Sequence, residues 1–286
     1  MTRPRSPFDR PPFCPAAIAD AQASGTDTFV APSEGDRAAV RAAVAGLVRD
    51  GERGVDAARA ISATASYRIA GMAEWPGALL LHEAPGARRG GGAYVVSLRP
   101  RARHLFVQAP HTLFEAGTLA LACALFASSG AAGLFVDTAH RYRAAAPDAE
   151  GEHPADAAHN AASLFQAATE GLLEASPAAT VLQLHGFSER AGGVTVIVSA
   201  GTSAPGDARV AKVASALTAL LGPGVRRYPD ETADLGATSN VQGIAVRHAR
   251  GQFLHVEIDA TLRRALLADE GLRARVLDAL RDAVAT

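Results

Sequence analysis

Short apolar runs alternate along this chain with stretches whose apolar positions recur every three to four residues, which predicts β-strands and α-helices in turn. In "SEGDRAAVRAAVAGLVRDG", Ser33 is the expected cap of a helix that reaches Asp50 and stops at Gly51. "GALLLHEA" and "AYVVSLRP" read as two strands of a hairpin across the turn-rich "PGARRGGG", and "HLFVQAP" as a third strand. A helix from about Glu115 to Ser128, a strand "GLFVDTA" and a long helix from "HPADAAHN" to Glu174 are expected next. "TVLQLHGF" and "GVTVIVSAG" read as strands, and "GDARVAKVASALTALLG" as a helix capped by Asp207. "IAVRHARGQFLHVEID" predicts two strands around a turn at Gly251, followed by a helical segment and a closing helix "GLRARVLDALRDAVA". Strands alternating with helices imply an α/β protein of three layers, a mixed sheet between helices. Residues 1–35, rich in Pro, Ser, Asp and Gly, are expected as an irregular arm, and residues 36–286 as a single domain.

Composition narrows the partners. A chain of 286 residues with 48% hydrophobic content can bury a sizeable core. A net charge of -1, from 28 basic and 29 acidic residues, gives no electrostatic footprint for nucleic acid or an anionic membrane. No apolar run is long enough to span a bilayer, so a cytoplasmic protein is the expectation. The two cysteines, Cys14 and Cys123, make no disulfide framework and pair only if the fold brings them together.

The chemistry gathers at strand ends. In an open α/β sheet, the loops and helix N-termini that follow the carboxyl ends of strands converge on one crevice. His111 follows "HLFVQAP", His185 ends "TVLQLH" and Glu257 ends "QFLHVEI". Glu115, expected in the first turn of the following helix, points back over the strand end. Two imidazoles and a carboxylate make an open zinc shell of the catalytic type, His111, Glu115 and His185. Glu257 is the candidate for proton transfer, and Arg141 for holding a substrate carboxylate in its planar fork.

"APHTLFEAGT", "LQLHGF" and "SNVQGIAVRHARGQFLHVEID" resemble segments of the zinc carboxypeptidase-like amidohydrolases, in particular the N-formylglutamate amidohydrolase and poly-gamma-glutamate hydrolase branches. The resemblance implies a phosphorylase/hydrolase-like fold and hydrolysis of an amide next to a carboxylate. It also implies Zn2+ held by His111, Glu115 and His185, Glu257 as the catalytic carboxylate, and His140 with Arg141 as the substrate-binding segment. The substrate implied is a small N-acyl amino acid or a peptide end bearing a carboxylate. The resemblance covers residues from about 100 to 265.

Other readings of the same residues stay open. Three residues separate His111 from Glu115 where carboxypeptidases proper have two, which motivates a rival: a catalytically degenerate member that binds a ligand or partner. The "HG" of His185 also suits an oxyanion segment of a serine α/β-hydrolase, although no G-x-S-x-G pentapeptide occurs. His153, Asp156 and His159 recur every third residue and could share a helix face as a second metal cluster. Glu257 could instead pair with Arg263 or Arg264.

Overall fold

A computed structural model describes residues 14–23, 27–190 and 192–284. Nine strands form one mixed sheet in the order β1-β2-β3-β5-β4-β6-β9-β7-β8. They are β1 (Tyr67–Gly71), β2 (Ala78–Glu83), β3 (Ala93–Ser97), β4 (Ala102–Ala109), β5 (Ala131–Val136), β6 (Thr180–Phe187), β7 (Val196–Ser199), β8 (Val225–Arg227) and β9 (Gln252–Asp259). The centre, β5-β4-β6-β9, is parallel, so the carboxyl ends of four neighbouring strands lie along one edge. Strands β1 to β3 and β7 join antiparallel on either side.

Two helical layers cover this sheet. On one face lie α2 (Glu34–Asp50), α3 (Val55–Thr64), α5 (Leu164–Ala175) and α7 (Val241–His248), packed on Tyr67, Tyr94, Phe106, Phe135, Val181 and Phe253. The other face carries α1 (Ala16–Ala23), α4 (Thr118–Ser129), α6 (Ala208–Leu221), α8 (Ala260–Ala268) and α9 (Glu270–Val284), packed on Val107, Leu182, Leu184, Leu254 and Val256. The protein is thus a three-layer α/β fold with a mixed sheet, and the period of two along each strand sorts its side chains between two cores.

Local chemistry explains where the elements differ from the sequence expectation. Helix α2 is closed by a capping box between Ser33 and Asp36 and ends at Gly51, as its pattern predicts. Helix α4 starts at Thr118, not Glu115, because Gly117 takes a left-handed conformation with φ 94° that interrupts the helix; Glu115 therefore sits in a turn before it. The long helix expected from residue 153 is confined to Leu164–Ala175. Asp156 and Asn160 bond their side chains to the backbone two residues on, which favours turns there, and Ser163 caps the helix behind them. "IAVRH" is the helix α7 rather than a strand, since Asn240 caps it by accepting from Gly243 N–H.

The described part of the N-terminal arm is not wholly irregular. It contains α1, and Cys14 beside it is bonded to Cys123 of α4 across a Cα separation of 5.3 Å, so the fold does bring the two cysteines together. Residues 1–13 of the expected arm lie outside the described residues. Among the described residues no helix is long and apolar enough to cross a membrane.

Candidate metal centre

At the carboxyl ends of β4, β6 and β9 the sheet changes character on the α2/α5/α7 face. There the inward positions are Gln108, then Gln183 and His185, then His255 and Glu257, all buried. The register sets Gln108 beside Gln183, Gln183 beside His255 and His185 beside Glu257. A row of polar groups in a dry layer must find partners or leave unsatisfied atoms, and this row does both.

The turn after β4 completes the cluster. It runs from His111 to Gly117, held by bonds from Phe114 N and Glu115 N to His111 O at 3.0 and 2.8 Å. Glu115 Oε1 lies 2.8 Å from His111 Nδ1 and 3.4 Å from His185 Nδ1, while its Oε2 accepts from Gly186 N–H at 2.9 Å. The missing side chain of Gly186 makes room for a different neighbour, since a Cβ there would meet the Arg263 guanidinium at 1.9 Å. Donor atoms of His111, Glu115 and His185 all lie within 4.8 Å of one another, and so do those of a second trio, His185, His255 and Glu257.

Each imidazole is held from behind. His111 Nε2 is 2.8 Å from Asp156 Oδ1, and His185 Nε2 is 2.8 Å from Gln183 Oε1. Both partners are acceptors, so Nε2 carries the proton in each neutral ring and Nδ1 is left as a lone pair. Two lone pairs and a carboxylate oxygen are thereby aimed at one another. In the metal-free protein a second proton on His111, shared with Glu115 across 2.8 Å, satisfies this meeting of groups; a metal ion in that proton's place would be held by the two Nδ1 atoms and the carboxylate oxygen. A metal-ligating histidine whose second nitrogen is fixed by a carboxylate or amide oxygen has this pattern, so the residues present fit a metal ion.

Charges follow the same logic. Burial would push His111 down, but Glu115 and Asp156 together raise its pKa to about 9. Burial works against Glu115 and Asp156 as carboxylates, yet the imidazoles around them hold both well below the usual carboxylate range. His185 and His255 are pushed down by burial and stay neutral. Burial, and then the charge of Glu115, raise Glu257 to about 8.

No protein-family model matches the chain, and no curated protein matches it. Solved structures that align with part of the chain include a gene product of Agrobacterium tumefaciens at 17% identity and TM-score 0.39, covering 63% of this chain and 88% of that one. A bacteriophage poly-gamma-glutamate hydrolase aligns at 16% identity and TM-score 0.39 over 63% of this chain and 82% of that one. An aspartoacylase family protein from Mesorhizobium loti aligns at 15% identity and TM-score 0.39 over 75% of this chain and 64% of that one. At such values the chemistry rests on the side chains alone.

The remaining expected residues fall at or beside the cluster. Glu257 is buried with Oε2 unpartnered among the described residues, and its Oε1 is 3.5 Å from His255 Nε2. Arg263 does not pair with it: that guanidinium is spent on the carbonyls of Ala116, Phe187 and Ile258. Arg141 bonds Asp156 through Nη2 and brings Nη1 to 3.3 Å from His111 Nδ1, while its Nε has no partner among the described residues. Its plane lies over the rings of Tyr142 and Phe114, at 4.7 and 5.7 Å, and these residues are 41% and 48% exposed at the mouth of the site. His140 is buried against Phe114 and accepts from Tyr142 N–H at 3.2 Å, which shapes the loop that carries Arg141.

The alternative of a second metal cluster on one helix face is not what the fold builds. His153, Asp156 and His159 share no helix face: His153 packs on Tyr142, whereas Asp156 joins the main site and takes a bond from His159 at 3.1 Å. Three features of the site are absent from the sequence expectation: His255, Gln183 and the contact of Asp156 with His111. "QLH" and "HVE" carry a signal for the first two, because a period of two in a strand puts Gln183 with His185 and His255 with Glu257 on one face.

Proposed function

We propose that this protein is a metal-dependent hydrolase that cleaves an amide bond in a small N-acyl amino acid or a carboxylate-bearing peptide. The observation that carries the reading is the convergence of His111, His185 and Glu115, whose ligand atoms lie within 4.8 Å of one another, with both rings fixed from behind. Two imidazole nitrogens and one carboxylate oxygen suit zinc and leave a coordination position open. The chemistry a bound zinc supplies there is Lewis-acid polarisation of an amide carbonyl and acidification of water.

The chain's own residues supply the rest. Glu257, raised to about 8 by burial and the charge of Glu115 and with Oε2 unpartnered among the described residues, exchanges its proton close to neutral pH: in its ionised form it takes a proton from water, and once protonated it gives that proton to the leaving nitrogen. Asp156 keeps His111 oriented, and Gly186 N–H keeps Glu115 turned toward both imidazoles. Arg141 retains an unspent Nε–H for the substrate carboxylate, and the exposed rings of Phe114 and Tyr142 border its approach. His185 is poorly placed for the serine-hydrolase reading, since its two nitrogens face Glu115 and Gln183.

One observation favours a second reading. The Arg141 guanidinium, 3.3 Å from His111 Nδ1, already sets a positive charge beside the trio, as a ligand-binding member without turnover would. Metal analysis of protein purified without added metal decides the first step: stoichiometric zinc is expected, lost in His111→Ala and His185→Ala. Unchanged metal content in both variants overturns the shell. Zinc present with no hydrolysis of N-acyl amino acids or γ-linked peptides selects the second reading.

A further inference from the structure

His111 is oriented by a charged carboxylate, His185 by a neutral amide, and only the amide can be installed the wrong way round. The end of Gln183 that faces His185 Nε2 at 2.8 Å decides which nitrogen of that ring carries the proton. An oxygen there makes Nε2 the N–H and Nδ1 the lone pair; an NH2 would reverse both.

Three backbone groups fix the answer through side chains around Gln183. Gly243 N–H donates to Asn240 Oδ1 at 2.8 Å, so the far end of Asn240 is its NH2, which donates to Gln183 Oε1 at 2.7 Å. The carbonyl of Ala157 accepts from Gln242 Nε2 at 2.9 Å, so Gln242 presents its oxygen to Gln183 Nε2 at 3.3 Å. Thr169 Oγ1 donates to Phe165 O at 2.9 Å and must accept from Gln108 Nε2 at 2.9 Å, so Gln108 also presents its oxygen to Gln183 Nε2, at 2.9 Å. Gln108, Gln183, Asn240 and Gln242 are all buried, where a reversed amide is costly. A flipped Gln183 would set NH2 against NH2 and oxygen against two oxygens.

We infer that Gln183, oriented by Asn240 at the start of α7, is a positioning residue that locks His185 in its Nε2–H tautomer and keeps Nδ1 available to a metal ion. The consequence for metal rests on the proposed function; the tautomer itself does not. Asn240→Asp tests it with little change of shape, because Asp and Asn are equally good helix caps and the bond from Gly243 survives. A carboxylate cannot donate to Gln183 Oε1, and its full charge against that oxygen outweighs the neutral oxygens of Gln108 and Gln242 on the other side, so Gln183 turns its NH2 toward the new carboxylate and toward His185, whose proton moves to Nδ1.

Nitrogen-15 NMR of the metal-free full chain reads this directly, with the His185 signals assigned by their loss in His185→Gln. The wild type is expected to show Nε2–H and Asn240→Asp to show Nδ1–H. Zinc affinity, measured by chelator competition, is expected to fall about 10- to 100-fold in Asn240→Asp and in Gln183→Met, which removes the acceptor altogether. An unaltered Nε2–H signal together with wild-type zinc affinity in both variants overturns the lock. A wild-type protein that takes up no zinc yet shows the tautomer exchange sinks the metal reading and keeps the lock.

Discussion

The two faces of β4, β6 and β9 are built from alternate residues of the same strands, yet they do opposite work. Val107, Leu182, Leu184, Leu254, Val256 and Ile258 point into the core under α4, α6 and α9, without a polar atom among their side chains. One residue away, Gln108, Gln183, His185, His255 and Glu257 point the other way and are as thoroughly buried. Burial on the first face is favourable by itself. On the second it is tolerated only where hydrogen bonds replace water, and His255 Nδ1 and Glu257 Oε2 have none among the described residues. That cost, accepted beside an apolar alternative, is what the proposed chemistry would call for and cohesion would not.

Exchanging one residue on each face separates these roles, and the largest effect belongs to the polar one. Glu257→Gln is expected to lower kcat/KM toward an N-acyl amino acid by about 10²- to 10⁴-fold, as loss of a general acid/base does, while zinc content and urea midpoint hold or improve. Leu182→Ala, on the opposite face, is expected to cost about 2–5 kcal/mol in urea unfolding and to leave kcat/KM unchanged while the protein is folded. A Leu182→Ala protein that stays folded and metal-loaded but loses turnover would erase the distinction between the faces. Cys14→Ser sharpens it from a distance, since the disulfide joins the N-terminal segment to α4 on the apolar side. Its removal is expected to cost about 2–4 kcal/mol with metal content untouched.

The apolar face is the more legible of the two in the sequence. Runs such as "VLQL" and "FLHVEI" announce strands, and Ser33 and Asp207 cap their helices where the pattern places them. The sheet edges are hidden: β1 is mostly exposed and β8 has three residues, so neither carries an apolar run. Helix α7 is masked by its β-branched residues, against a cap that only Asn240 signals. At the site, strand-end placement is enough to gather His111, Glu115, His185 and Glu257 from the sequence alone. It does not attach Asp156 to His111, because the Asp156 loop has no periodicity and the contact spans 45 residues. The local period of two puts Gln183 on the face of His185 and His255 on the face of Glu257, but that β6 lies between β4 and β9 is a long-range pairing that no local pattern contains.

The smallest expected difference between the faces is a slope with pH in the metal-free protein. Glu257 has its pKa raised to about 8 from 4.5, by burial first and the charge of Glu115 second. Between those values the folded chain keeps a proton that the unfolded chain has released, so stability falls as pH rises. His111 extends the fall: burial opposes its charge, but Glu115 and Asp156 raise it to about 9 from 6.5, and that stabilisation is lost as pH climbs through the higher value. Glu115 and Asp156, both depressed, contribute in the other direction, with stability present above the ordinary carboxylate range and lost in acid. Each group changes stability by at most about 1.4 kcal/mol per pH unit. His185 and His255, pushed down by burial, add a rise with pH below about 6.5 in both proteins, so Glu257 is read as a difference: from pH 5 to about 8 the wild-type urea midpoint should fall relative to that of Glu257→Gln, and the difference should level off above. Leu182→Ala should move the whole curve down and leave its slope alone. Parallel curves for wild type and Glu257→Gln would mean that this carboxyl ionises as freely in the fold as out of it, and the polar face would then be an ordinary wet surface with no proton to lend.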